Sequence, residues 1–425
     1  MKLQLQWQQL LVNNRLVVNL RRLCFSFRET EVFLLLINTI RKFTMTKSPF
    51  LKISLLSISL FLMSHLSIAP AIPKLSQYYQ AQNPNLSLAS VEILVTIPAM
   101  TITIVVILSN LIVGKFGQKK TVQLGLLLIL VSGIFSFLAQ SFALALFSRL
   151  LLGAGIGVYN SLSISMISGY FDGDKRANMI GWRTATLNIG KTLTTFLVGY
   201  ALLIGPQYIY LVYLLVIPVL YLFSKHVPDT KGPVKSLSQM TVFNKEVLMW
   251  MLITFFIGIT YIGATVKVPT LLVSHLGYSD LFGSQMLTIM AFSGVLMGIV
   301  FGQIHKSLKE NTLTLMLLSM MVGSLCFAFG HHLVFYYLGS FLIGASFVGG
   351  MSSVFESIAK SFDKTYHTFV TSMAITAGNI GVIVTPLLLT KVIQGLGLEL
   401  YQTPFMVTSC LSLLALGIYH MLKNK

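Results

Sequence analysis

The sequence predicts an all-α integral membrane protein of twelve transmembrane helices, built as two six-helix halves in parallel repeat. Three observations lead there. They are apolar runs of bilayer length, loop basic residues that fall in alternate gaps between those runs apart from Lys74 and Lys391 at the ends of spans 1 and 11, and a repeat at a constant shift of 191 positions.

The chain has 425 residues, of which 55% are apolar and only 10% charged, and its mean hydropathy is +0.80. A soluble domain of this composition lacks the polar surface that keeps a protein in solution. A bilayer core of about 30 Å is crossed by about 17–25 helical residues, chiefly apolar. Twelve runs of that length are present, over residues 51–73, 89–113, 121–140, 143–168, 178–204, 208–224, 247–270, 283–304, 312–330, 333–359, 367–391 and 404–422. Apart from the N-terminal extension, the longest polar stretch is 225–246, which holds Pro228, Asp229, Lys231, Pro233 and Lys235. It separates a first half, 51–224, from a second, 247–425.

The charges order these spans. Lys115, Lys119 and Lys120 follow span 2, Lys175 and Arg176 follow span 4, and Lys225, Lys231, Lys235 and Lys245 follow span 6. Lys306 and Lys309 follow span 8, Lys360 and Lys364 span 10, and Lys423 and Lys425 span 12. The gaps after spans 3, 5, 7 and 9 contain no Lys or Arg. Basic loops stay on the cytoplasmic side, so both termini and the central loop are expected there, in a multi-pass protein of a bacterial plasma membrane. The net charge of +18 is mostly this orientation signal. A nucleic-acid partner would need a basic face on a soluble fold, and none is expected.

Residues 1–50 are expected to form a cytoplasmic N-terminal segment. Met1 to Thr44 is basic, with Arg15, Arg21, Arg22, Arg28, Arg41 and Lys42. It is not a secretory signal, because the apolar stretch Val32–Ile37 is too short and no small-residue cleavage site follows. Met45-Thr46-Lys47 opens like a cytoplasmic start, so residues 1–44 are expected to lie upstream of the true initiator; the alternative is an amphipathic helix on the membrane surface. Cys24, Cys326 and Cys410 make no metal or disulfide pattern.

At a shift of 191, Leu151-Leu152-Gly153-Ala154 meets Leu342-Ile343-Gly344-Ala345, and Phe171-Asp172 meets Phe362-Asp363. Asn188-Ile189-Gly190 meets Asn379-Ile380-Gly381, Thr194 meets Thr385, and Thr121 meets Thr312. An even number of spans separates the copies, so both have the same orientation. Two such halves around a midplane cavity suit alternating access by rocking.

The segment from Asn110 to Lys120 resembles the signature loop of the major facilitator superfamily. Lys115, Gly117, Lys119 and Lys120 match its pattern, while Gly114 stands where an aspartate is expected. Arg149-Leu-Leu-Leu-Gly153 resembles the family's Arg-x-x-x-Gly motif, whose arginine is associated with proton coupling in drug-exporting members. The exporters' glycine pattern in span 5 is not matched, since Gly205-Pro206 falls at the outer end of the helix. The resemblance covers roughly residues 50–422. It implies twelve helices, a secondary transporter and a monomer that needs no cofactor.

Ionisable groups inside spans are costly and mark functional sites. Arg149 lies about two turns into span 4, and Lys191 near the middle of span 5. Arg183, nearer the end of span 5, is expected to snorkel to the interface. Arg149, Glu92 and His65 are the proton-coupling candidates, with Lys74 a possible partner for Glu92. Lys191, Asn188, Asn379 and Asn160 are the substrate-cavity candidates, with helix-to-helix hydrogen bonding as the other reading of the asparagines. Aromatics such as Tyr159, Tyr261 and Phe355 suit cavity walls or packing. Lys267 and Glu356 are the gating candidates, Glu356 by pairing with a loop lysine.

The expected activity is movement of a small organic solute by alternating access. No Gly-x-x-x-x-Gly-Lys-Ser/Thr phosphate loop is present, so an ion gradient, most plausibly of protons, drives it. The Arg149 motif favours proton-coupled export of a drug-like or amphipathic compound. The cations of the interior, set against few acids, leave open transport of an organic anion or metabolite. The expected partners are therefore a small-molecule substrate, protons and the lipid bilayer. No enzyme is expected, because His331-His332 sits on a loop without an acidic cluster, and no metal set is recognisable.

Overall fold

The structure is a computed structural model and describes residues 49–171, 173–228, 244–362 and 364–423. The segment 1–44 and Met45, Lys231 and Lys235 of the central loop, and Asp172 and Asp363 of the repeat lie outside the described residues. Leu51–Lys425 forms one compact unit.

Among the described residues, twelve helical segments follow one another. They are α1 (Pro49–Gln82), α2 (Leu88–Phe116), α3 (Gln118–Leu138), α4 (Phe142–Asn160, continued by Leu162–Tyr170) and α5 (Gly173–Ala201). Then come α6 (Tyr208–His226), α7 (Lys245–Pro269), α8 (Asp280–Leu308), α9 (Asn311–Phe329), α10 (Leu333–Ser361), α11 (Lys364–Pro386) and α12 (Thr403–Lys423). Side-chain caps start several of them: Ser87, Ser141, Asn244 and Ser279 each accept a backbone N–H three residues on, satisfying a donor that the helix itself leaves unpaired.

Eleven of the described helices are long and apolar enough to cross a membrane. The twelfth is α5. Its 29 residues would reach about 44 Å at 1.5 Å per residue, but Arg183, Asn188 and Lys191 make it too polar to read as a lipid-facing span. A helix of that kind needs a polar interior to face. The outside of the bundle exposes Leu203, Ile204, Val334 and Leu396 among many large apolar side chains, as a lipid-facing surface does.

The repeat is structural as well as sequential. The starts of α4 and α10 (Phe142, Leu333), the starts of α5 and α11 (Gly173, Lys364) and the ends of α3 and α9 (Leu138, Phe329) all fall at the 191-residue shift. Thr194 and Thr385 donate to the carbonyls of Gly190 and Gly381, both at 2.8 Å. A Cβ on Gly153 would stand 2.5 Å from the Pro98 carbonyl oxygen, and one on Gly344 1.8 Å from that of Met290. These glycines let α4 press on α2 and α10 press on α8. The two halves meet where α5 packs on α8 and α11 packs on α2.

Two helices depart from regularity. In α1, short 3₁₀ stretches cover Ile58–Phe61, Ser64–Leu66 and Ala69–Ala71. Ser57, Ser64 and Ser67 turn their hydroxyls back onto carbonyls three residues earlier, and Pro70 and Pro73 remove donors. After α7 and α11, Pro269 and Pro386 are each followed by a π-helical turn, Thr270–His275 and Leu387–Val392. Such turns recur at functional sites.

Candidate functional site

The loops after α2, α4, α8 and α10 carry Lys115, Lys119, Lys120, Lys175, Lys306, Lys309 and Lys360 and lie at one end of the bundle, here the basic face. Gly117, between α2 and α3, has φ of +80°, a conformation that a side chain disfavours. The signature-loop glycine is therefore a backbone requirement, and Lys115 lies 5.7 Å from the centre of the Phe116 ring.

Arg149 is fully buried. Its Nε donates to the Leu94 carbonyl at 2.8 Å and its Nη1 to the Tyr213 hydroxyl at 2.6 Å, and its Nη2 donates to the His65 carbonyl. The Tyr213 hydroxyl in turn donates a hydrogen bond to the Ser64 carbonyl at 3.1 Å. One guanidinium thus ties α4 to α1, α2 and α6 without any carboxylate. The His65 imidazole is buried beside it, its Nδ1 has no hydrogen-bond partner, and it lies within electrostatic reach of both Arg149 and Lys191.

Lys191 is buried where the halves meet. Its ammonium donates to the Tyr261 hydroxyl of α7 and lies 4.3 Å from that ring's centre. Tyr261 stacks on Phe347 of α10 at 3.8 Å, tilted by only 9°. No carboxylate accompanies this cation among the described residues.

Toward the opposite face the interior holds its carboxylate. Glu92 and Lys267, 0% and 1% exposed, pair at 2.7 Å across the two halves. Thr390, in the π turn after α11, accepts from Lys267 at 2.6 Å and donates to the other Glu92 oxygen. A second pair, Lys74–Asp280 at 2.9 Å, is part-exposed, at 34% and 17%. Lys74 and Lys267 sit near the ends of α1 and α7, and each reaches into the first turns of the other half's α8 or α2. The two ion pairs are alike in joining the halves as latches, one dry and one wet, but they do not correspond at the 191-residue shift, where Lys74 meets Thr265 and Glu92 meets Gly283. The expected pairing of Glu92 with Lys74 is corrected accordingly, because each lysine takes the acid of the opposite half.

Further polar contacts between the halves lie at mid-depth or on the same side as the latches. Ser284 donates to the Thr195 carbonyl at 2.9 Å, and Asn379 donates to Thr103 Oγ1 at 2.9 Å. Residues Ile257 to Leu272 of α7 and its continuation are buried without a break, whereas Leu248 and Leu252, nearer the basic face, are exposed. The bundle is closed toward the opposite face.

Other sequence expectations separate. Asn379 bonds between helices, and Asn188 donates to the Thr184 carbonyl of its own helix at 3.0 Å. Asn160 accepts from Arg183 at 3.3 Å, and Ser163 accepts from the same guanidinium at 2.7 Å. Arg183 does not snorkel; it is buried, held by two polar side chains of α4. Glu356 pairs with Lys360, one turn along its own helix, at 3.3 Å, and lies 3.9 Å from His305, so here it joins α10 to α8 within one half. The sequence does not single out Asp280, Tyr213 or Phe347, and it offers Thr390 only as one of the threonines of span 11 suited to lining a cavity. The repeat carried no signal for Asp280, which meets Ala89 at the 191-residue shift.

Twelve helices in two parallel repeats, closed at one end around a polar centre, define a membrane transporter. The chain belongs to the Major Facilitator Superfamily, whose sequence profile matches residues 54–386. It is similar to the quinolone resistance protein NorB of Staphylococcus aureus (strain JH9), with 23% identity over 218 residues, 51% of this chain and 46% of that protein. The similarity thus covers about half the length of that relative. Among solved structures, the nucleoside transporter NupG superposes with a TM-score of 0.71 at 13% identity, covering 87% of this chain and 99% of that one. A D-xylose–proton symporter gives 0.70 at 13% identity, over 86% and 95% of the two chains. The human organic anion transporter MFSD10 gives 0.61 at 16% identity, over 88% and 100%. These structural likenesses concern the fold.

Proposed function

We propose that this protein is a proton-coupled secondary transporter that carries an amphipathic organic solute with an anionic group out of the cytoplasm by alternating access. The observation that carries the reading is Lys191. It is a cation at the centre of the bundle with no carboxylate beside it, seated on a stacked pair of aromatic rings. A planar solute bearing a carboxylate fits both features, with its charge on the ammonium and its ring against Tyr261 and Phe347. A buried cation gains most from an opposite charge where water is excluded. The export direction rests on the similarity to a quinolone resistance protein.

With the basic loops in the cytoplasm, the closed end faces outward, and the latches form the external gate. Glu92 belongs to that gate, where in this state its carboxylate is buried and paired with Lys267. The mid-depth group able to change protonation is His65, whose buried Nδ1 has no hydrogen-bond partner among the described residues. Arg149 holds α1, α2 and α6 in register around it.

The test uses purified protein in proteoliposomes with a pH-sensitive dye inside. Cationic, neutral and anionic aromatic solutes are imposed in turn. Solute-driven proton movement for anionic aromatics, absent for their uncharged amides, is the expected result. Proton movement driven by cationic solutes alone would contradict the reading.

A further inference from the structure

Arg183 is a buried cation that the mechanism above does not use. It lies eight residues before Lys191 on α5, about 12 Å nearer the basic face along the helix axis. It is 9% exposed, and among the described residues it has no carboxylate partner. Its contacts are neutral, Ser163 Oγ at 2.7 Å and Asn160 Oδ1 at 3.3 Å. These bonds employ Nε and Nη2 and leave Nη1 without a bond among the described residues. Beside it, the Tyr159 hydroxyl is fully buried, has no hydrogen-bond partner, and lies within electrostatic reach of the guanidinium.

Burial without a counter-charge is costly for an arginine whose charge is permanent. Neighbouring space opens toward the basic face. Ser161 is exposed and Asn160, which holds the guanidinium, is half-buried. A guanidinium with a free nitrogen, next to an unpartnered phenol, presents convergent donors of the kind that bind a carboxylate.

We infer that Arg183, with Tyr159, forms a second anion-binding station between α4 and α5, on the basic-face side of Lys191. It takes the same carboxylate-bearing aromatic solutes, and so rests on the anion reading above. The two cations of α5 are then successive counter-charges, the first met on entry from the cytoplasm and the second at the centre. Asn160 and Ser163 hold the fork of Arg183 in place while it waits for a ligand.

Trp182 adjoins Arg183 and provides the readout. The chain has three tryptophans, and replacing Trp7 and Trp250 by Phe leaves Trp182 as the sole emitter. The probe is 4-nitrobenzoate, an aromatic carboxylate that quenches indole emission, with neutral 4-nitrobenzamide as its control. Saturable quenching by the carboxylate, beyond that by the amide, is expected. It should persist in Lys191→Gln and fall at least tenfold in apparent affinity in Arg183→Gln. Should Arg183→Gln fail to insert, Arg183→Lys keeps the charge and loses the fork, and a several-fold weakening is expected there. Unchanged quenching in the Arg183 variants, with 4-nitrobenzoate still transported and transport lost in Lys191→Gln, would overturn the station and leave the anion reading standing. If the wild-type protein neither binds nor transports the carboxylate in preference to the amide, both are overturned.

Discussion

Replacing Glu92 by alanine leaves Lys267 buried with only Thr390 for company. Removing one partner of a buried ion pair costs about 3–5 kcal/mol, because the remaining charge is stranded away from water. Both partners are essentially unexposed, so solvent does not screen this pair as it would a surface one. The cost falls on the closed state alone, since opening the outer end hydrates Lys267. At 1.36 kcal/mol per tenfold, the equilibrium between closed and open should move by about two to nearly four powers of ten. Lys267→Met on top of Glu92→Ala removes the stranded charge and should restore most of the closure. The assay is labelling by an impermeant maleimide from outside, with Cys24, Cys326 and Cys410 changed to Ser. The reporter is Ser284→Cys, at a buried position that joins α8 to Thr195 of α5. Slow labelling in the parent, fast labelling in Glu92→Ala and slow labelling again in the double variant are expected. Equal labelling in all three would refute the argument that the dry latch holds the outer end shut.

The wet latch should behave differently. Lys74→Gln breaks a pair that water already screens, so its effect on closure should stay within about 1 kcal/mol, and raising the salt concentration should abolish even that. Arg149→Lys should lose transport and lower thermal stability despite the retained charge. A single ammonium cannot spread over the Leu94 and His65 carbonyls and the Tyr213 hydroxyl as the guanidinium does, and each charged hydrogen bond lost is worth about 1.5–3 kcal/mol. Gly190→Ala would place a Cβ 2.0 Å from the Leu60 carbonyl oxygen, so it should force α5 from α1 and reduce folded yield on a detergent-stability assay. Gly169→Ala, with nothing within 4 Å, should leave that yield unchanged.

The spans were legible because bilayer physics writes them into composition. The runs 89–113 and 283–304 fall inside α2 and α8, and 247–270 matches α7 to within two residues at either end. Span 5 is the hard case, since α5 is long enough but carries Arg183, Asn188 and Lys191, and 178–204 is the run whose composition least resembles a lipid-facing helix. The 3₁₀ breaks in α1 were hidden, because serine and proline in an apolar run do not announce whether a helix bends or continues. At the site, Arg149, Lys191, Glu92 and Lys267 stood out as charges in apolar surroundings. Their partners did not. Thr390 lies 298 positions from Glu92 and 123 from Lys267, and Tyr213 lies 64 from Arg149. An uncharged hydroxyl in a span looks the same whether it completes a gate or merely bonds its own helix. Arg183 was misplaced for a related reason: distance from a helix end suggests snorkelling, but Ser163 and Asn160 of the adjacent helix offered nearer partners than water.

The central claim is that Lys191 supplies the counter-charge for an anionic solute. The most direct measurement is counterflow of a radiolabelled aromatic carboxylate in proteoliposomes, comparing the parent with Lys191→Gln and each acid with its neutral amide. Carboxylate counterflow in the parent, lost in Lys191→Gln while the variant remains folded and inserted, is the predicted result. Undiminished carboxylate counterflow in Lys191→Gln would contradict it.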